Sequence, residues 1–110
     1  MAKNIVYFGE LDLFSETIKK MAKIEGLNFY DFPSWEECGE QLTSLEANFI
    51  FIDLDSIDTS ILPDELQQYI GIFFRADEKT TIKWQSEHSY HQKPLDVLQF
   101  REFLKGLLDG

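Results

Sequence analysis

Residues 49–52 form an unbroken run of large apolar side chains, Phe-Ile-Phe-Ile, which stops at Asp53. A strand that is apolar at every position is typically covered on both faces, as in a parallel sheet between two layers of helices. Further strands are predicted over residues 4–8, 28–32, 69–74 and 88–92. Because polar or amphipathic stretches separate these runs, the sequence predicts an α/β fold with a doubly wound, five-stranded parallel sheet.

The helices predicted between these strands are of unequal strength. Apolar residues at helical spacing, with capping or stop residues at the ends, predict helices over residues 12–24, 34–45 and 95–108. Residues 58–68 contain Pro63, and residues 77–87 have few large apolar side chains. The third and fourth helices are therefore predicted to be shortened or irregular.

The charge of the chain limits the kinds of partner it can bind. Twenty acidic residues against ten basic ones give a formal net charge of −10. Nucleic acids bind proteins mainly through Lys and Arg contacts to phosphates, so we expect no nucleic acid partner, and no anionic membrane for the same reason. A protein with a cationic surface, or a divalent ion, matches this charge better.

Length and composition predict one domain over residues 1–110, since 110 residues with 44% hydrophobic side chains can bury a single core. Cys38 is the only cysteine, which rules out an internal disulfide and a cysteine-built zinc site. The first residues lack the charged and apolar regions of a signal peptide, and no apolar run is long enough to span a bilayer. A cytoplasmic protein is therefore expected.

Charged residues follow the predicted strands. In doubly wound folds, ligands bind beyond the carboxyl ends of the strands. The residues that this edge is predicted to gather are Gly9, Glu10, Asp53, Asp55, Arg75, Lys93 and Pro94. A functional site, if there is one, is expected there.

Ordinary structural roles also account for some of these residues. Asp53, Asp55 and Asp58 suit the turn after a strand, because aspartate side chains cap turns and helices. His88 and His91 have no further His or Cys beside them, so a metal site is not expected there. The sequence also lacks the nucleophile elbow of hydrolases and the glycine-rich loop of nucleotide-binding proteins.

Three sequence features match a known family in register. Asp53 ends the third strand, the pair Lys93-Pro94 follows the fifth, and Tyr90 lies three residues before the lysine. In this arrangement the whole chain resembles the CheY-like receiver domain of response regulators. The resemblance implies the flavodoxin-like strand order 2-1-3-4-5, a phosphoacceptor position at Asp53, an aromatic switch position at Tyr90 and a phosphate contact at Lys93. Without a phosphoryl group, Lys93 is expected to pair with Asp53.

The chain departs from this family at two positions of the site. The acidic pair that holds Mg²⁺ in receivers is Gly9-Glu10 here, and Arg75 stands where a serine or threonine ends the fourth strand. Any magnesium site would then consist of Glu10, Asp53 and Asp55. The guanidinium of Arg75 is always charged and forks onto carboxylates, so we expect it to reach Asp53 or Glu10 and to act as a bound cation.

These departures indicate an atypical receiver, or pseudo-receiver. The predicted function is a non-enzymatic protein–protein interaction module in bacterial signal transduction, which works without phosphorylation and without a cofactor. Its partner would be a protein of a signalling or motility pathway, bound at a face that has Trp84, Tyr90 and Leu95 as anchors. As an alternative, Trp84 and Tyr90 are edge residues of the core.

Other functions stay open. Asp53 is a working phosphoacceptor in one alternative, which requires Mg²⁺ and Lys93. In another, the chain is a scaffold domain of a longer protein. The leucine-rich residues 103–108 also make a homodimer one arrangement to test.

Overall fold

The computed structural model describes residues 2–109. Five parallel strands form one sheet in the order β2-β1-β3-β4-β5. The strands are β1 (Asn4–Phe8), β2 (Asn28–Phe32), β3 (Phe49–Asp53), β4 (Ile70–Arg75) and β5 (His88–Gln92). The helices are α1 (Leu13–Ile24), α2 (Trp35–Cys38), α3 (Gln41–Leu45) and α4 (Val97–Asp109). The predicted fold class and strand order are confirmed.

Two core layers lie on opposite faces of the sheet, because successive residues of a strand point to opposite sides. Beneath α1 and α4 lie Ile5, Tyr7, Phe51 and Phe74. Beneath α2 and α3 lie Val6, Phe8, Ile52 and Phe73. Every residue of β3 is buried, which explains why its first four residues are all apolar.

The first helix begins and ends close to its predicted limits. The side chain of Asp12 accepts a hydrogen bond from the backbone N–H of Ser15, and the Ser15 hydroxyl accepts one from the N–H of Asp12. This capping box satisfies two backbone donors that the first turn leaves free. The final helix begins at Val97, two residues later than predicted.

The prediction of one helix over residues 34–45 is wrong. Gly39 has a φ of 46°, a conformation that favours glycine, and it separates α2 from α3. Residues 58–68 contain two 3₁₀ turns, Thr59–Ile61 and Asp64–Gln68. The predicted shortening of this region is confirmed.

Residues 77–87 contain no helix, in contrast to the predicted short or irregular one. Trp84 holds this segment against the sheet, with its ring centroid 5.1 Å from that of Phe73. A Cβ on Gly71 would lie 3.0 Å from the Trp84 ring, so the glycine makes room for the indole. Packing of Trp84 against the sheet thus takes the place of a helix, because tertiary contacts override a weak local pattern. No helix within residues 2–109 is long and apolar enough to cross a membrane.

Candidate functional site

Asp53 lies at the carboxyl end of the central strand β3, with only 2% of its surface exposed. Its parallel neighbour in the sheet is Phe74, so its side chain points to the same face as that ring, towards α1 and α4. One carboxylate oxygen, Oδ1, accepts hydrogen bonds from the Lys93 ammonium at 2.7 Å and from the backbone N–H of Asp55 at 3.0 Å. A charge this deeply buried requires such partners.

Lys93 joins two carboxylates. Its Nζ lies 2.7 Å from Asp53 Oδ1 and 3.2 Å from Asp55 Oδ2, and 4.5 Å from the centre of the Phe14 ring. Burial opposes the charge of the ammonium, but hydrogen bonds and attraction from Asp53 and Asp55 outweigh it and raise the pKa of Lys93 above its usual value. We call these three residues, Asp53, Asp55 and Lys93, the acidic cluster.

Further hydrogen bonds tie the loops around the acidic cluster together. The second carboxylate, Asp55 Oδ2, accepts a hydrogen bond from the backbone N–H of Ala76 at 3.0 Å. The Ser56 hydroxyl accepts one from the N–H of Glu10 at 3.0 Å. The loops after β1, β3 and β4 are therefore connected directly.

Tyr7 is a site residue that the sequence analysis missed. A Cβ on Gly9 would lie 2.8 Å from Asp53 Cβ and 2.9 Å from both Cε1 and the hydroxyl of Tyr7. Real Cβ atoms do not approach other atoms so closely, so no side chain fits at position 9. The Asp53 side chain and the Tyr7 ring thus occupy the space next to Gly9. The only sequence signal for this role is the hydroxyl of Tyr7, which is the one polar side-chain group in residues 5–8 and lies two residues before Gly9.

The hydroxyl of Tyr7 is fully buried and has no hydrogen-bond partner among the residues that the structure describes. Burial, followed by the negative charges of Asp53, Asp12 and Asp31, raises the pKa of Tyr7 far above its usual value. Tyr7 is therefore neutral at every physiological pH.

Arg75 does not make the contact that was predicted for it. Its guanidinium donates a hydrogen bond to the Thr80 carbonyl at 2.7 Å and lies 4.0 Å from the centre of the Tyr90 ring. Over residues 2–109 it forms no ion pair with a carboxylate. The reason is the alternation of side chains along β4: Phe74 shares a face with Asp53, so Arg75 points to the other face.

Tyr90 is held in place from two sides. Its hydroxyl accepts a hydrogen bond from the Ile82 N–H at 3.1 Å and donates one to the Ile82 carbonyl at 3.2 Å, while Arg75 covers its ring. We call Arg75, Tyr90 and Ile82 the switch-position group. It fixes the irregular segment before β5 to the sheet.

The residues predicted as binding anchors lie close to the core. Trp84 is 9% exposed, and its indole N–H donates to the Tyr69 carbonyl at 3.3 Å. Tyr90 and Leu95 are partly buried and pack against opposite core layers. Their role in partner binding stays a prediction.

The acidic side chains do not fit a divalent cation. Mg²⁺ needs an octahedral set of oxygen ligands, usually including one or two carboxylates that are free to bind it. Asp53 and Asp55 share the Lys93 ammonium, and Glu10 is exposed and lies outside the acidic cluster. Between residues 2 and 109, no three His, Cys, Asp or Glu side chains are grouped so as to hold a metal ion.

No protein-family model matches the chain, and no characterised protein matches it in sequence. Among solved structures it is similar to the receiver domain of sensor histidine kinase PA1611 from Pseudomonas aeruginosa PAO1, which has a magnesium ion in its active-site cleft. That similarity has a TM-score of 0.77 with 12% identity over the whole of both chains. A putative response regulator from Chloroflexus aurantiacus gives a TM-score of 0.73 with 15% identity, also over both whole chains. The pseudo-receiver domain of the CikA protein gives 0.66 with 19% identity, over 97% of this chain and 98% of that one.

Proposed function

This chain has the fold of CheY-like response-regulator receiver domains, and we propose that it is a pseudo-receiver. Its function is that of a non-enzymatic protein–protein interaction module in a signalling pathway, which works without phosphorylation and without a cofactor. One observation carries the proposal: Tyr7 and Asp53 leave no room for a side chain at position 9, where receivers have a carboxylate that binds Mg²⁺.

The chemistry of phosphoryl transfer explains why this position matters. A carboxylate that attacks phosphorus is repelled by the negative oxygens of the phosphoryl group, and a bound metal ion offsets that repulsion. Here Lys93 is the only cation in contact with Asp53 among residues 2–109. Arg75 also stands in place of the serine or threonine whose hydroxyl would follow a phosphoryl group. Both features support the proposal that the acidic cluster keeps its geometry but does not carry out phosphoryl transfer.

Incubation with Mg²⁺ and a small phosphodonor tests the proposal. We expect neither acetyl phosphate nor beryllofluoride to change the mass or the amide spectrum of the protein. The Asp53→Asn variant provides the background, and a phosphorylatable receiver domain treated in parallel shows that the reagents are active. A phosphoryl adduct on the unchanged protein that is absent from Asp53→Asn would establish a working receiver instead.

The phosphorylatable receiver remains the second candidate because of one specific contact. Asp53 ends β3 at the phosphoacceptor position, and Lys93 approaches its carboxylate within 2.7 Å. In this alternative, an incoming phosphoryl group would displace Lys93 from Asp55 and would need a metal bound without the carboxylate at position 9.

The partner is proposed to be a cytoplasmic protein of a signalling or motility pathway. The predicted anchors Trp84 and Tyr90 on one side of β5 and Leu95 on the other make this edge of the sheet one binding surface to test. Association of two copies through α4 is another. Both concern surfaces beside β5. Analytical ultracentrifugation of the isolated protein measures the second directly.

A further inference from the structure

The charges of the chain are distributed unevenly. All ten lysines and arginines lie outside residues 24–74, and every charged residue within this stretch is acidic. This stretch contains α2, α3 and the turn Asp64–Gln68. The exposed acidic residues in these elements or next to α3 are Glu36, Glu37, Glu40, Glu46, Asp64 and Glu65. The opposite layer, with α1 and α4, carries both signs of charge. The surface formed by α2, α3 and this turn is therefore negative, while Arg75 and Lys83 lie on the same face of the sheet nearer β5.

A cleft lies within this negative surface. It has a volume of about 400 Å³ and separates α2 and α3 from the turn Asp64–Gln68. Its walls include the aromatic side chains of Trp35 and Tyr69, which are partly buried, and Leu42, which is 5% exposed. The exposed side chains of Glu40 and Glu65 belong to the same lining, one from each wall. The cleft thus combines an apolar, aromatic interior with carboxylates on both sides.

The two carboxylates have no competing partner. Neither Glu40 nor Glu65 takes part in an ion pair with another residue in the described part of the chain. The backbone of Glu40 precedes α3, but its side chain makes no capping hydrogen bond. Both groups are therefore available to an external cation, and neither is needed to hold a helix end.

This combination of groups matches one side chain best. A guanidinium stacks on aromatic rings and forms forked hydrogen bonds with carboxylates, and it loses its hydration shell more readily than an ammonium. We infer that the cleft binds an arginine side chain from a basic segment of a partner protein. The inference rests on the proposed interaction function and names the chemistry of the partner. It places binding on the opposite face of the sheet from Asp53.

Electrostatic complementarity also excludes other occupants. A second copy of this chain would bring another molecule with a net charge of −10, and the cleft is on its most negative side. A nucleic acid would bring phosphates, which the same carboxylates repel. A basic protein segment is attracted, and its association is accelerated by the charge of the whole face.

Titration of the full chain with a short blocked peptide of alternating arginine and serine tests the inference. Amide spectra at low ionic strength are expected to show saturable shifts of the Trp35 indole N–H, the Gly39 backbone N–H and the Gln68 side-chain amide. The same peptide with citrulline in place of arginine keeps the shape of the side chain and removes its charge, and we expect it not to bind.

Two double variants separate the cleft from the general negative charge. Glu40→Gln with Glu65→Gln is expected to weaken arginine-peptide binding about fivefold, which is the effect of losing two exposed ion pairs. Glu16→Gln with Glu102→Gln makes the same charge change on the α1 and α4 side and is expected to leave the affinity within about twofold. All four residues are exposed, so the fold should be kept, as amide dispersion would show.

The results of these titrations distinguish binding in the cleft from diffuse electrostatic attraction. Equal weakening by both double variants, or shifts spread over all acidic residues, would reduce the effect to diffuse attraction and overturn the inference. Absence of saturable shifts in the unchanged protein overturns it as well. Repeating the titration with Mg²⁺ and beryllofluoride tests the proposed function separately, and we expect the same affinity for the arginine peptide. A changed affinity would leave the cleft as the binding site but would show that the protein does respond to phosphorylation.

Discussion

The acidic cluster and the switch-position group lie at neighbouring strand ends but on opposite faces of the sheet. In the acidic cluster, a buried carboxylate is neutralised by Lys93 at 2.7 Å. In the switch-position group, Arg75 covers the Tyr90 ring, and the Tyr90 hydroxyl pairs with both backbone groups of Ile82. No hydrogen bond or ion pair between the described residues links a side chain of one group to a side chain of the other.

The comparison shows how two positions of one site become independent. In the acidic cluster, Asp53 is buried beside Lys93, so removal of the lysine leaves the aspartate charge without a partner. In the switch-position group, neutral hydrogen bonds hold an irregular segment at the surface. We therefore expect changes in the first group to affect the global stability of the fold, and changes in the second to affect local opening.

The largest effect is expected from Lys93→Met, which leaves the buried Asp53 without its cation. Breaking a buried ion pair from one side costs about 3 kcal/mol in the free energy of unfolding. Urea denaturation measures this loss. The double variant Lys93→Met with Asp53→Asn should recover much of the stability, because no unpaired charge remains. A double variant as unstable as Lys93→Met would show that the charge is not what matters.

A smaller effect is expected from Gly9→Ala, whose methyl group would collide with Asp53 and Tyr7. Overpacking of this kind costs about 2 kcal/mol in unfolding free energy. The matched control is Gly106→Ala in α4, where nothing lies within 4 Å of the added Cβ. That control should stabilise the helix by about 1 kcal/mol. If Gly9→Ala is as stable as the control, Tyr7 does not block position 9.

On the other face, Tyr90→Phe removes both hydrogen bonds to Ile82 and should cost about 1 kcal/mol. Its main effect should be local, since the segment has few other backbone bonds. Faster hydrogen exchange at Ile82 and faster trypsin cleavage after Lys79 and Lys83 would show this opening. Tyr30→Phe, at an exposed tyrosine of β2, is the control. Equal acceleration of exchange at Asp55 would contradict the separation of the two groups.

The smallest effect is expected from alkaline pH. Because the pKa of Lys93 is higher in the folded chain than its usual value of 10.5, the ion pair stabilises the fold fully below that value. The stabilisation should decline as the pH rises through the higher folded pKa. Urea midpoints between about pH 9 and pH 12 measure the decline, which should begin only above about pH 10.5. Lys93→Met should lose less stability over this range than the unchanged protein.

Much of the architecture was predictable from local patterns. The unbroken apolar run of β3 and the alternation of strands with amphipathic stretches predicted the sheet, and the residues matching the receiver pattern predicted its strand order. The pairing of Lys93 with Asp53 was also predicted, since parallel strands bring their carboxyl ends to one edge. These features depend on the order and type of residues along the chain.

Other features depended on contacts between distant residues. Residues 80–85 run without a helix because Trp84 packs over Gly71, and α2 ends where Gly39 turns. The direction of Arg75 follows from the register of β4, and a shift of one residue along a strand reverses the face of every side chain. The predicted contact of Arg75 with Asp53 or Glu10 required the face opposite to the one that it takes.

The α/β class, the parallel sheet and the position of Asp53 beside Lys93 follow from the order of apolar and charged residues along the chain. Three features follow from the folded arrangement instead: Tyr7 fills the space above Gly9, Arg75 points away from Asp53, and Trp35 and Tyr69 line a cleft with Glu40 and Glu65. Those outcomes are set by strand register and close packing, which bring together side chains that no local pattern connects.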